Sequence, residues 1–166
     1  MSIKNKYDLI MFGATGFTGK LVCEYINSKY SDSLNWAIAG RNRDKLDNVS
    51  NELGLSVPTI DLDSNNESHV ENVLKQTRLI LTTVGPYQLY GNEIIRKCAE
   101  LGVHYVDLSG EPGWMHLMNE HKAQAQQSGA KIVHSCGFDS IPSDLGVLFL
   151  QNKAKNKYGK PYANVK

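Results

Sequence analysis

The 166-residue chain carries 18 Lys and Arg against 17 Asp and Glu, a formal net charge of +1, and is 41% hydrophobic. A charge this close to zero argues against a nucleic-acid partner, which would need a strongly basic stripe. No apolar run, Gly146 to Leu150 among them, is long enough to span a bilayer. At this length one compact domain is expected, burying roughly 70% of the surface that the unfolded chain exposes.

Lys4 and Lys6 precede an apolar patch that runs only from Leu9 to Phe12 before glycines begin, which is not a signal peptide. Cys23, Cys98 and Cys136, odd in number and without paired spacing, imply reduced thiols and a cytoplasmic protein. The sequons Asn48-Val49-Ser50 and Asn66-Glu67-Ser68 are then chance.

Six short apolar runs read as strands: Tyr7 to Phe12, Trp36 to Ala39, Val57 to Leu62, Arg78 to Val84, Val103 to Leu108 and Lys131 to Ser135. They are apolar throughout rather than alternating, as buried parallel strands are. Helical patterns separate them. Leu21 and Tyr25 suggest a buried stripe on the first helix. Leu46, Val49 and Leu53 fall at helical spacing and Gly54 stops them. Ser64 and Glu67 predict a capping box ahead of Val70, Val73 and Leu74.

Ile94, Ile95, Cys98 and Leu101 make one stripe, closed by Gly102. Pro112 opens a helix that Gly129 closes, and Ser143 to Lys157 reads as a last helix with Tyr158 to Lys166 departing as a tail. Strand and helix alternating six times imply an α/β, doubly wound parallel sheet of the Rossmann type, with about six strands and helices on both faces.

The strongest chemical signal is Gly13-Ala14-Thr15-Gly16-Phe17-Thr18-Gly19, directly after the first strand. Glycines at this spacing permit a tight turn, a close approach to a pyrophosphate and close helix packing. The helix start then offers free N–H groups to the phosphates, and Thr15 and Thr18 can add hydroxyl donors. A triphosphate loop ending in Gly19-Lys20 fails, because Leu21 stands where that loop needs a hydroxyl for magnesium.

After the second strand comes Ala39-Gly40-Arg41-Asn42-Arg43, with no carboxylate before Asp44. An acidic residue there would accept the ribose hydroxyls of NAD, whereas Arg41 can fork onto a 2′-phosphate. NADP is therefore favoured over NAD. On the rest of the rim, Asp61 can flank the adenine, and Val84, Gly85 and Tyr87 can pass the nicotinamide ribose. Tyr87, Asp107 and Asp139 are the candidates to face a substrate, although Asp139 and Ser143 also suit a helix cap. The catalytic residue is unknown.

Tyr25 and Lys29 match a Tyr-x-x-x-Lys dyad but lie on the first helix, too early to reach a nicotinamide. No histidine or cysteine spacing suits a metal, so none is expected; His134, near a strand end, stands out slightly from the other histidines.

The chain resembles the saccharopine dehydrogenase-like oxidoreductases, a grouping that includes saccharopine reductases and trans-acting enoyl reductases. The resemblance rests on Tyr7 through Gly19, Ala39-Gly40-Arg41, Val84-Gly85-Pro86-Tyr87, Tyr105 through Glu111, and Gly137 through Asp144. The last two stretches are the more specific and look closer to the enoyl-reductase-like branch. The resemblance implies that residues 1–157 are an NADP-binding domain and that 158–166 begin a linker to a substrate domain outside this chain.

It implies hydride transfer to a C=N or C=C bond, with a small-molecule substrate as partner and room for a homodimer. The competing reading is a non-catalytic NADP-sensing module acting through a protein partner.

Overall fold

The computed structural model describes residues 6–165; Lys4 and Lys166, named above, lie outside them. Strands β1 (Tyr7–Phe12), β2 (Trp36–Gly40), β3 (Thr59–Asp61), β4 (Thr77–Thr82), β5 (His104–Asp107) and β6 (Ile132–Val133) form one sheet. All pairs are parallel and the order is β3-β2-β1-β4-β5-β6. Helices α1 (Phe17–Tyr30), α2 (Arg43–Glu52), α3 (Glu67–Leu74), α4 (Tyr87–Tyr90), α5 (Asn92–Leu101), α6 (Pro112–Met118), α7 (Lys122–Ser128) and α8 (Ile141–Tyr158) connect or follow them.

β1 lies at the centre, with Leu9 opposite both Trp36 and Leu79, so its apolar residues are covered on both faces. One cluster packs Leu9, Met11 and Ile38 against Cys23 and Ile26 of α1 and Leu46 of α2. The other packs Ile10, Phe12, Ile80 and Tyr105 against α3, α5 and α6. Two separate cores, one on each face, are the doubly wound arrangement.

Several local expectations change. The capping box does not form. The Asp63 carboxylate accepts from Asn65 N at 3.0 Å, which turns the chain two residues past Ser64, and Asn66 Oδ1 caps α3 by accepting from His69 N at 3.2 Å. On α1 the buried residues are Gly19, Cys23 and Ile26, while Leu21 and Tyr25 are 51% and 57% exposed, so the expected stripe faces solvent. Leu101 is also exposed at the end of α5.

The single helix expected from Pro112 to Gly129 breaks into α6, a 3₁₀ turn at Asn119–His121, and α7. Asn119 Nδ2 donates to His116 O at 3.2 Å there, a side-chain bond that competes with the helical ladder. The β3 pairing begins only at Thr59, because Pro58 has no N–H to donate. β6 is two residues long. It stops where Ser135 takes a left-handed φ of 59° and gives its N–H to the Asp107 side chain. Helix α8 starts two residues early at Ile141, with neither Asp139 nor Ser143 as its cap.

Candidate functional site

The strand order reverses direction between β1 and β4, which opens a crevice at the carboxyl rim of the sheet. β1 runs into that crevice. Gly13 follows it at φ +101°, its N–H given to Ala39 O at 3.2 Å. A Cβ on Gly13 would sit 2.7 Å from Thr83 Oγ1 and 2.8 Å from Val84 Cγ2. A Cβ on Gly19 would fall onto the Gly13 carbonyl group. Both outer glycines are therefore demanded by the way the protein packs on itself.

Gly16 is different. Its Cβ would meet nothing closer than Gly13 O at 3.5 Å, an ordinary contact. Thr15, Gly16, Phe17 and Thr18 are exposed, and Gly16 caps α1 without a side-chain bond. The first turn of α1 contains no acidic residue, whereas α2 has the Asn42 cap with Asp44 and α3 has the Asn66 cap with Glu67. The N–H groups at the start of α1 and the positive end of its dipole are thus left uncompensated, facing open space. Such a helix start can receive an anion.

Arg41 directly follows β2, the neighbour of β1, and Asp61 ends β3, one strand further out. Gly40 and Asp61 are register partners, so the ends of β2 and β3 lie side by side. Arg43 pairs with Asp47 at 3.4 Å, but among the described residues Arg41 has no carboxylate partner. Its guanidinium carbon lies 5.3 Å from the centre of the Tyr90 ring. Tyr90 and Ser64 line a hollow of about 380 Å³, and the buried Ser64 hydroxyl has no hydrogen-bond partner. Val84 packs against Gly13, and Gly85 follows it toward the Tyr87 ring.

A family model described as the saccharopine dehydrogenase NADP binding domain matches residues 9–133. The chain belongs to this family. It is 40% identical over 164 residues to a lipid droplet localized protein of Caenorhabditis elegans, covering 93% of this chain and 38% of that protein. It is 38% identical over 162 residues to a saccharopine dehydrogenase-like oxidoreductase of Homo sapiens, covering 89% of this chain and 38% of that protein. The chain thus spans about 38% of the length of these curated relatives.

A solved structure, apo saccharopine dehydrogenase (L-Glu forming) from Saccharomyces cerevisiae, has the same fold. Its TM-score is 0.76 at 16% identity, covering 90% of this chain and 32% of that one. The cofactor of this saccharopine dehydrogenase-like domain is NADP. No helix among the described residues is long and apolar enough to cross a membrane.

The β5–β6 end of the rim in this family member is built differently. Asp107, 2% exposed, ends β5. Its Oδ1 accepts from Ser109 N at 3.0 Å and Ser135 N at 2.9 Å. Its Oδ2 accepts from the Tyr105 hydroxyl at 2.9 Å and lies 2.7 Å from His134 Nδ1. Burial pushes the Asp107 pKa up, but His134 and the two N–H donors outweigh it and hold the carboxylate below its ordinary range. An ionised carboxylate can only accept, so the proton between the pair sits on Nδ1. Burial, and then Asp107, push the Tyr105 hydroxyl well above the usual phenol range.

Two of the three expected substrate-facing residues are therefore turned inward. Asp107 spends both oxygens on its own neighbours. Tyr87 is buried, stacked on Trp114 at 5.5 Å between ring centres, and its hydroxyl donates to Thr82 O at 3.2 Å. Burial raises its pKa to about 12. Only Asp139 is exposed.

Sequence reasoning gave Glu111 no role. Its carboxylate accepts from Tyr87 N at 2.7 Å and Gln88 N at 3.0 Å, fastening the start of α4 to the start of α6. The sequence singled out His134 only for its place near a strand end; Ile132 and His134, two residues apart, line one hollow.

Proposed function

We propose that this chain is the cofactor domain of an NADP-dependent oxidoreductase that transfers a hydride to a C=N or C=C bond. Residues 1–157 form the binding domain, and 158–166 lead toward a substrate domain. The observation that carries the reading is the uncapped, acid-free start of α1 at Gly16, with Arg41 on the neighbouring strand end lacking a carboxylate partner among the described residues.

In this reading Gly13, Ala14, Thr15, Gly16, Phe17, Thr18 and Gly19 shape the pyrophosphate cradle, with backbone N–H groups as the donors. Arg41 takes the 2′-phosphate. Asp61 flanks the adenine, and Val84 and Gly85 border the nicotinamide ribose. Bound NADPH supplies the hydride. The chain's own residues hold it in place and exclude water, while the substrate and the proton donor belong to the part of the relatives that this chain does not span.

Three unpaired cysteines support a reducing compartment, the cytoplasm. The test is calorimetry with NADPH and NADH on the wild type and on Arg41→Ala. NADPH binds the wild type more tightly than NADH, and Arg41→Ala loses about ten- to a hundredfold in NADPH affinity, the worth of one charge-assisted contact. Equal NADPH affinity in the two proteins overturns the role of Arg41, and no binding of either nucleotide overturns the reading.

A further inference from the structure

On the α6–α7 side of β6 lies a cleft of about 330 Å³, at the small end of the range for small-molecule sites. Met118 and Ile132 contribute apolar floor. Asn119, His121, Lys122, Gln126 and His134 contribute polar groups, and among the described residues no carboxylate lines it. Glu120, 3.4 Å from His121 Nε2, is outside the lining.

The unusual member is His134. Its ring is gripped on three sides: by Asp107 at 2.7 Å, by the edge of Tyr105 at 5.8 Å and by Trp114 at 5.1 Å between ring centres. Its side chain is 18% exposed. Nδ1 is occupied by Asp107. Nε2, on the opposite side of the ring, has no hydrogen-bond partner among the described residues, and neither does the Lys122 ammonium group have a salt-bridge partner.

We propose that this cleft binds a small organic anion, a carboxylate or phosphate on a short aliphatic arm. His134 and Lys122 are its charge partners. A protonated imidazole presents Nε2–H outward as a donor, and the orientation is already fixed by Asp107, so little ordering is lost on binding. The ammonium group of Lys122, also in the lining, adds a positive charge that no carboxylate among the described residues pairs. Met118 and Ile132 accept the aliphatic arm. The site is separate from the α1 cradle and does not depend on the cofactor reading.

The anion is not identified by chemistry alone, so both headgroups are tested. Butanoate, butyl phosphate and neutral butanol are titrated into the ¹⁵N-labelled chain at about pH 6, where imidazoles carry charge. Backbone amide shifts separate the cleft from the phosphate cradle.

The expected result is saturable shifts at Gln126, Ala130, Ile132 and His134 with one or both anions, and none with butanol. The stronger anion identifies the headgroup. Lys122→Gln, an exposed change that leaves the fold intact, weakens binding about two- to fivefold, the reach of a solvent-screened charge. His134→Gln weakens it by about tenfold or more, as loss of a charge-assisted contact does. Absence of cleft shifts, equal binding of butanol, or unchanged affinity in Lys122→Gln overturns the proposal. Should His134→Gln fail to fold, the Lys122 variant decides alone.

Discussion

The carboxyl rim of this sheet has two junctions built on opposite principles. At β1–α1 the backbone donors are left unpaired: a glycine caps the helix, no acid sits in its first turn, and four consecutive residues are exposed. At β5–β6 the polar groups close on one another, with Asp107 collecting two N–H groups, a phenol and an imidazole. Buried polar groups must find partners within the protein or in a ligand. The second junction meets that requirement internally, whereas the donors of the first are exposed and available to the proposed pyrophosphate. Polar residues gathered on a rim therefore do not all face the same way, and Asp107 and Tyr87 serve the scaffold.

The contrast can be broken by substitution. Asp107→Ala leaves the N–H groups of Ser109 and Ser135 and the His134 ring without their partner. It should cost about 3–5 kcal/mol, as removal of one member of a buried pair does, lowering the melting temperature by roughly 6–20 °C. A thermal scan within a degree or two of wild type would show that the closed junction is not held by this carboxylate.

Gly19→Ala is next. Alanine normally stabilises a helix by about 1 kcal/mol relative to glycine, yet here its Cβ meets the Gly13 carbonyl, and a net loss of about 1–3 kcal/mol is expected in denaturant unfolding. Stabilisation by this change would mean that the close approach is not required.

Gly16→Ala sharpens the comparison from the other side. Its methyl group has room, so stability should change by less than about 0.5 kcal/mol, the range of surface changes. NADPH affinity should fall by about tenfold or more, because the methyl group takes up space in the proposed pyrophosphate cradle. Unaltered NADPH affinity in calorimetry would remove the cradle from the cofactor site.

The smallest effect lies away from both junctions. Glu71 accepts from Lys75 at 2.5 Å and from Lys97 at 3.0 Å, and those two cations hold its pKa down at about 2, against an ordinary 4.5. A depressed acid stabilises the fold above its unfolded pKa and loses that contribution as the pH falls through its folded one. The wild type should therefore lose slightly more stability between pH 4.5 and pH 2 than Glu71→Gln does, in melts followed across that window. Identical acid profiles would show that this solvent-screened cluster adds nothing measurable.

Much of this was legible in the chain itself. The strand positions, the glycine turn after β1, and the arginine after β2 are local facts: a run of apolar residues, a spacing of glycines, an absent carboxylate. The misreadings share a cause. Leu21 and Tyr25 have helical spacing, but the face of α1 that meets the sheet is chosen by the contact of Gly19 with the Gly13 carbonyl group. Ser64 and Glu67 have capping-box spacing, but an Asx turn at Asp63 moves the helix start to Asn66.

By itself, then, the sequence determined an alternating α/β chain, an anion-seeking first turn, and a bias toward NADP. Those follow from backbone freedom, periodicity and charge, which act over a few residues. Tertiary structure alone decided which polar residues are free. Asp107 lies 27 residues from His134 and 28 from Ser135, and only the β5–β6 pairing brings them within hydrogen-bond distance, where burial makes satisfying the carboxylate obligatory.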